Sequence, residues 1–273
     1  MKNVFQRTVS GIIYLVILIG SLFLGKYAFG TVFLLIGLLA LVEFYNMTGI
    51  SGYTQTTVPG LVSGALIFVL AFLVASHTIS SYYLALACLL PVLSFIVALY
   101  SPKPDFIKDF STVYLGILYI IIPLAIMNYL VFPVINEHEY THRIVLGILT
   151  MVWINDTGAY VAGSTLGRHK LFPRISPKKS WEGLIGGTLL TLISALWMSR
   201  VMGILSVADW IILAVIVSIF GVYGDLTESL IKRNADRKDS GNLIPGHGGV
   251  LDRIDSILFV MPVSFLYLIF KGL

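Results

Sequence analysis

Residues 224–256 read GDLTESLIKRNADRKDSGNLIPGHGGVLDRIDS. Apolar runs bound this stretch on both sides, ADWIILAVIVSIFGVYGDLT at 208–227 and IDSILFVMPVSFLYLIFK at 254–271. Each approaches the about 20 helical residues that cross a hydrocarbon core. Asp225, Glu228, Lys232, Arg233, Asp236, Arg237, Lys238, Asp239, His247, Asp252, Arg253 and Asp255 thus crowd between two predicted membrane helices. Charges near a bilayer are costly unless they face protein, water or a ligand.

The spacing inside the stretch narrows what those charges do. Asp225, Glu228, Ser229 and Lys232 fall at i, i+3, i+4 and i+7, one face of a helix. Asp252, Asp255 and Ser256 repeat the pattern where the next helix should begin, and carboxylates in a first turn suit the positive end of the helix dipole. Between them, Leu243-Ile244-Pro245-Gly246-His247-Gly248-Gly249 cannot be regular helix. Its glycines permit positive φ and close approach of backbone N–H groups to a ligand. Two acidic helix faces joined by a basic, glycine-rich loop suit a magnesium–polyphosphate site, since Mg2+ takes one or two carboxylates and fills its sphere with waters and phosphate oxygens. Lysine and arginine hold the remaining phosphate charge. The bland alternative is a solvated loop whose charges only set topology. It leaves unexplained an aspartate, Asp225, inside an apolar run and the chemistry of the His-Gly-Gly turn.

Outside this stretch the chain is overwhelmingly apolar. Of 273 residues, 57% are hydrophobic and 12% charged, against about 25% charged in soluble domains; the mean hydropathy is +0.91. The expectation is an all-α, polytopic integral membrane protein. Apolar runs at 8–25, 28–46, 58–76, 82–100, 111–133, 143–163, 184–204, 208–227 and 254–271 predict nine transmembrane helices. The basic N-terminus followed by the first run resembles a signal peptide, but no small-residue cleavage site follows, so the first helix is expected to stay. Solitary Cys88 excludes an intramolecular disulfide and a Cys/His zinc site.

With nine spans, Lys2, Arg7, Lys103, Lys108, Arg168, Lys170, Arg174, Lys178, Lys179, Lys232, Arg233, Arg237, Lys238 and Arg253 fall on one side. Lys26, Arg143, Arg200 and Lys271 fall on the other. That bias puts the N-terminus and both basic loops in the cytoplasm. The loop at Ser101–Phe110, with two prolines and both charge signs, is read as dividing an N-terminal helical region, 1–100, from a C-terminal catalytic region, 101–273, with cytoplasmic loops at 164–183 and 228–253. Within the first region Glu43 is read as a helix-end carboxylate at the headgroup level. Asp156 lies inside the sixth predicted span, where an ionisable group is a functional candidate by default; the competing reading is a structural aspartate paired with a neighbouring Lys or Arg.

The polar residues from Ser229 to Asp255 resemble the signature of the phosphatidate cytidylyltransferase (CDP-diacylglycerol synthase) family at Ser229, Lys232-Arg233, Lys238-Asp239, Gly241, Pro245, His247-Gly248-Gly249, Asp252-Arg253 and Asp255. Ser176-Pro177-Lys178-Lys179-Ser180-Trp181-Glu182-Gly183 is similar to a second motif of that family, and the Asp156 helix to a third. The resemblance runs from about Trp153 to Asp255; the N-terminal third agrees only in hydropathy. It implies transfer of CMP from CTP to phosphatidate, giving CDP-diacylglycerol and pyrophosphate, within a bacterial-type inner membrane and facing the cytoplasm. A homodimer is implied by the resemblance alone. No nucleic-acid partner is expected.

The residues suit that chemistry. Two polyanions must meet, so a metal and cationic side chains suppress repulsion and stabilise the leaving pyrophosphate. Asp225 and Asp252 are the expected Mg2+ ligands and catalytic carboxylates, with Asp156 joining them or lying just behind, and Asp255 is either a ligand or an N-terminal helix group. Lys232, Arg233 and Lys238 are expected on phosphates, with Lys178, Lys179, Ser176, Gly248, Gly249 and Arg253 on substrate. His247 binds a phosphate, donates a proton or shapes the turn. Whether one or two metals act, and whether a monovalent cation assists, stays open. An ion-coupled transporter also uses intramembrane aspartates and broken helices, but the first half carries no matching interrupted segment. A scaffold that binds acidic lipid is the remaining rival.

Overall fold

A computed structural model describes residues 2–49, 54–100, 106–246 and 248–272. Helices dominate, in chain order α1 (Lys2–Phe23), α2 (Lys26–Thr48), α3 (Thr54–Ala75), α4 (Leu89–Leu99), α5 (Phe106–Gly116), α6 (Ile122–Val131), α7 (Arg143–Leu166), α8 (Trp181–Met202), α9 (Val207–Asn234) and α10 (Asp255–Phe270). Among the described residues, six helical segments are long and apolar enough to cross a membrane: Lys26–Thr48, Thr57–Ala75, Phe106–Asn136, Arg143–Leu166, Trp181–Met202 and Val207–Asn234. Apolar helices at Thr8–Phe23, Ser81–Val97 and Asp255–Phe270 are shorter.

Prolines explain two of the departures from plain α-helix among the described residues. The fourth predicted run opens as a 3-10 helix, Ser81–Cys88, and turns into α4 at Leu89. Pro91 cannot donate a backbone bond and its ring crowds the carbonyl four residues back, so it is best placed in the first turn of a new α-helix. Pro123 does the same to the fifth run. Between α5 and α6 the helix widens into a π turn, Ile117–Ile121, just before that proline.

The chain divides into two compact units. Unit 1 comprises Met1–Phe132, His138–Tyr140 and Asp239–Arg253; unit 2 comprises Pro133–Glu137, Thr141–Lys238 and Ile254–Leu273. This differs from the expected boundary at 101. Residues 106–110 are the start of α5 rather than loop, and residues 101–105 lie outside the described set. The reason is packing. In unit 1, α3 lies against α6 and α2 against α3, so Ile120, Ile121 and Leu124 share a core with Phe29, Phe33, Leu41 and Phe44. Tyr45 ties α2 to α5 by donating its hydroxyl to Val113 O at 3.1 Å.

Unit 2 is built on α7 to α10, with α7 packed most extensively on α8. Small residues allow that approach. A Cβ at Gly187 would come within 2.8 Å of Asn155 O and 2.9 Å of Asn155 Oδ1, the close backbone contact that small residues permit between membrane helices. The loop after α7 folds into an antiparallel hairpin, β1 (Lys170–Phe172) with β2 (Ser176–Ser180). It is the one regular sheet among the described residues. At 28 residues α9 spans about 42 Å. That exceeds the about 30 Å of hydrocarbon, so its last turns carry charged side chains past the apolar run.

Candidate active site

Those last turns of α9 set the site in unit 2. Asp225, Glu228 and Lys232 follow one another along one helix face, and Lys232 pairs with Glu228 one turn away. Glu228 is fully buried; a carboxylate so placed is costly unless compensated by a partner charge. Asp225 Oδ2 lies 2.6 Å from Lys179 Nζ, and Ser229 donates its hydroxyl to Asp225 Oδ1 at 3.3 Å. Asp255 enters from the first turn of α10, where the helix dipole favours a carboxylate. Its Oδ1 accepts from Ser256 N at 2.6 Å. Gly224 makes the meeting of α9 and α10 possible, because a Cβ there would stand 2.5 Å from Asp255 O. The outcome is that one oxygen each of Asp225, Glu228 and Asp255 lies within 4.8 Å of the others.

The α7–α8 side supplies cations and walls. Ser180 caps α8 by accepting from Gly183 N at 3.2 Å. Glu182, in the same first turn, accepts from Arg168 N at 3.1 Å and His169 N at 3.2 Å, and its Oε1 lies 2.6 Å from His169 Nδ1. These bonds hold the hairpin on the end of α8. Neighbouring strand residues point to opposite sides: Lys178 is exposed, whereas Lys179 is half-buried against Asp225. A cavity of about 500 Å³ opens here, lined by Asp156, Lys170, Lys178, Lys179, Ser180 and Asp225 among others. Its wall on α7 is fixed by Asn155, which is buried and accepts from Thr191 Oγ1 at 3.3 Å.

Three converging carboxylates repel one another unless a cation sits among them. Lys179 and Lys232 supply part of that charge. The donor set is all oxygen, with neither Cys nor His, and that chemistry suits a hard divalent ion such as Mg2+. The residues present therefore fit the group.

Of the expected site residues, Asp156, Asp225, Lys178, Lys179 and Lys232 belong to unit 2 together with half-buried Ser176 and exposed Arg233 and Lys238. Arg233 Nη1 donates to Arg237 O at 3.2 Å. Asp252, Gly248, Gly249 and Arg253 belong to unit 1. There Asp252 Oδ2 accepts from Gly249 N at 2.8 Å, Ser240 Oγ at 3.0 Å and Ser240 N at 3.1 Å. Gly248 takes the positive φ, +88°, that the turn requires, and Ile244 N donates across it to Gly248 O at 3.0 Å. Arg253 is exposed. His247 lies outside the described residues.

Two carboxylates do more than their place in the sequence predicts. The sequence puts Glu228 on the Asp225 face but not among the expected ligands, although its i+3 spacing is the signal for it. Glu43, near the end of α2, is more than a helix-end carboxylate: it is 3% exposed and accepts from Leu251 N at 2.9 Å. Its distance in sequence from the signature, together with an otherwise apolar α2, hid the partnership.

Comparisons with known proteins agree with the motif reading. A model of the cytidylyltransferase family matches residues 5–270. A phosphatidate cytidylyltransferase of Bacillus subtilis (strain 168) is 32% identical over 280 residues, covering 98% of this chain and 97% of the relative. Those of Staphylococcus haemolyticus (strain JCSC1435) and Staphylococcus aureus (strain COL) are each 36% identical, covering 96% of this chain and 98% of each relative.

Proposed function

The chain belongs to the cytidylyltransferase family, and from that premise we propose that it transfers CMP from CTP to phosphatidate, releasing pyrophosphate and forming CDP-diacylglycerol. A phosphate oxygen of phosphatidate attacks the α-phosphorus of CTP, and the bond from that phosphorus to the β-phosphate oxygen breaks. The nucleophile is already anionic, so the chain need not supply a strong base. What it must supply is charge compensation, because two polyanions are brought into contact. The observation that carries the proposal is the approach of Asp225, Glu228 and Asp255 beside Lys179 at the edge of a cavity.

Asp225, Glu228 and Asp255 would hold Mg2+, which supplies Lewis-acid polarisation of phosphoryl oxygens and offsets charge on the leaving group. Lys178 and Lys170 line the same cavity from the hairpin and are assigned to phosphate binding. Lys179 orients Asp225 through their ion pair. Asp156 borders the cavity and shapes the field around it. Lys232 neutralises Glu228, while exposed Arg233 and Lys238 attract CTP. In unit 1 the Gly248–Gly249 turn and Arg253 are assigned to the nucleotide phosphates. Asp252, whose two oxygens accept from Ser240 and Gly249, is assigned to holding that turn.

The remaining assignments follow the charge pattern of the chain. All nine apolar helical runs cross the bacterial inner membrane, with the N-terminus and both basic loops in the cytoplasm. CTP then arrives from water and phosphatidate laterally from the bilayer. A homodimer is part of the proposal. The names of the relatives favour nucleotidyl transfer over ion-coupled transport. Purified protein incubated with labelled CTP and phosphatidate, with and without Mg2+, tests it. Label in a lipid-soluble product only when Mg2+ is present is the expected result; flux without nucleotide turnover in proteoliposomes would overturn it.

A further inference from the structure

Glu43 is a buried carboxylate with no part in the chemistry above. It lies near the end of α2 in unit 1, with its Oε2 accepting from Leu251 N at 2.9 Å and from Ser240 Oγ at 3.2 Å. Its Oε1 is buried without a hydrogen-bond partner among the described residues. Keeping a carboxylate in such a place is costly unless its partners compensate. Glu43 is therefore expensive for a residue that merely fills space.

Its surroundings show what it touches. Ser240 Oγ, within reach of Glu43, is also 3.0 Å from Asp252 Oδ2. A serine hydroxyl has one proton to donate, so the two carboxylates share one donor and their positions are coupled through it. Leu251, whose N–H meets Glu43, immediately precedes Asp252 in the 3-10 turn Leu251–Arg253. The signature glycines fit the same account. A Cβ at Gly241 would stand 2.5 Å from Glu43 Oε1, and one at Gly249 would run into Glu43 Oε2 and Ser240 Oγ. Those two positions leave the volume that the Glu43 carboxylate occupies.

We propose that Glu43 is a positioning residue for the signature turn, fixing Ser240 and Leu251 and through them the orientation of Asp252 and the Gly248–Gly249 backbone. The proposal rests on the assignment of that turn to CTP. The N-terminal helices then contribute to turnover through α2, rather than only anchoring the enzyme.

The test compares wild type, Glu43→Asp and Glu43→Gln as purified full-length chains. Aspartate keeps the charge but withdraws it by one methylene, about 1.5 Å; glutamine keeps the length and an acceptor oxygen. A misplacement of this size away from the reacting atoms lowers kcat/KM by about 10- to 100-fold. For Glu43→Asp that loss is expected to include a raised KM for CTP, with a smaller loss for Glu43→Gln. In ligand-free protein, amide hydrogen exchange should quicken over residues 239–253 and stay as in wild type over 143–166. Faster exchange with an unchanged KM for CTP would make Glu43 structural only and overturn the proposal, as would unchanged exchange. If Glu43→Asp does not fold, a Glu43→Gln variant with wild-type KM and exchange overturns it alone. Wild-type protein that fails to transfer CMP would instead bring down the activity on which the proposal rests.

Discussion

The two carboxylate groups, one in each unit, are built in opposite ways. In unit 2, Asp225, Glu228 and Asp255 face one another, and lysines 179 and 232 supply the charged partners that touch them. In unit 1, Glu43 and Asp252 face N–H and hydroxyl donors from Ser240, Gly249 and Leu251. Donors of that kind fix geometry, because a backbone amide cannot leave without unmaking the turn. Mutually facing carboxylates leave charge that a bound cation relieves. The acidic residues thus separate into one group whose carboxylates face one another and another that holds a loop.

The sharpest way to break this comparison is to remove a converging carboxylate. Asp225→Asn and Glu228→Gln should each lower CMP transfer by at least about 100-fold, the scale of losing a charge-stabilising group at a reacting phosphate. Initial rates on labelled CTP measure it; near-normal rates in both would remove the triad from the chemistry. Metal removal comes next. Chelation should abolish transfer, readdition of Mg2+ should restore it, and Mg2+ alone should raise the thermal unfolding midpoint of wild type but not of Asp225→Asn. An equal rise in both would place the ion elsewhere.

Smaller effects sharpen the contrast. Lys179→Met breaks the ion pair that orients Asp225 and should cost about ten-fold in kcat/KM, more modestly than loss of the carboxylate itself. Gly187→Ala sets a methyl against Asn155 O on α7 and should destabilise unit 2 by about 1–3 kcal/mol, seen as a lower denaturation midpoint. The smallest change is expected from Asp209→Asn at the far end of α9. There Asp209 caps the helix with Ser206, pairs with partly exposed Lys271 and accepts from Tyr267 Oη at 2.7 Å. Stability should fall by about 1 kcal/mol with KM for CTP unchanged. A raised KM would mean that the far end of α9 communicates with the site.

Much of this was written in linear patterns. Apolar runs separated by short polar breaks located the helices, since a chain in hydrocarbon must satisfy its backbone internally. Proline positions foretold where the fourth and fifth runs would deviate only in hindsight, because a proline ends, kinks or widens a helix according to its neighbours. The hairpin at 170–180 left no trace in periodicity; it is held by Glu182 and by pairing across three to five residues. Spacing put Asp225 and Glu228 on one face, but could not tell which acidic residue of the next segment would join them.

The sequence by itself determined that the chain is helical and apolar, that its ionisable residues gather between the last two helices, and that their order is that of a nucleotidyltransferase signature. Tertiary structure decided which of those residues touch. It divides the charged stretch so that residues 239–253 fall in unit 1 while Asp225, Glu228 and Asp255 remain in unit 2, and it brings Glu43 to Ser240 across nearly two hundred positions. Helical periodicity reports only neighbours three and four residues apart. A contact between distant segments depends on side-chain volume and on the space that glycines such as Gly224, Gly241 and Gly249 leave open, and that is settled only when the helices pack.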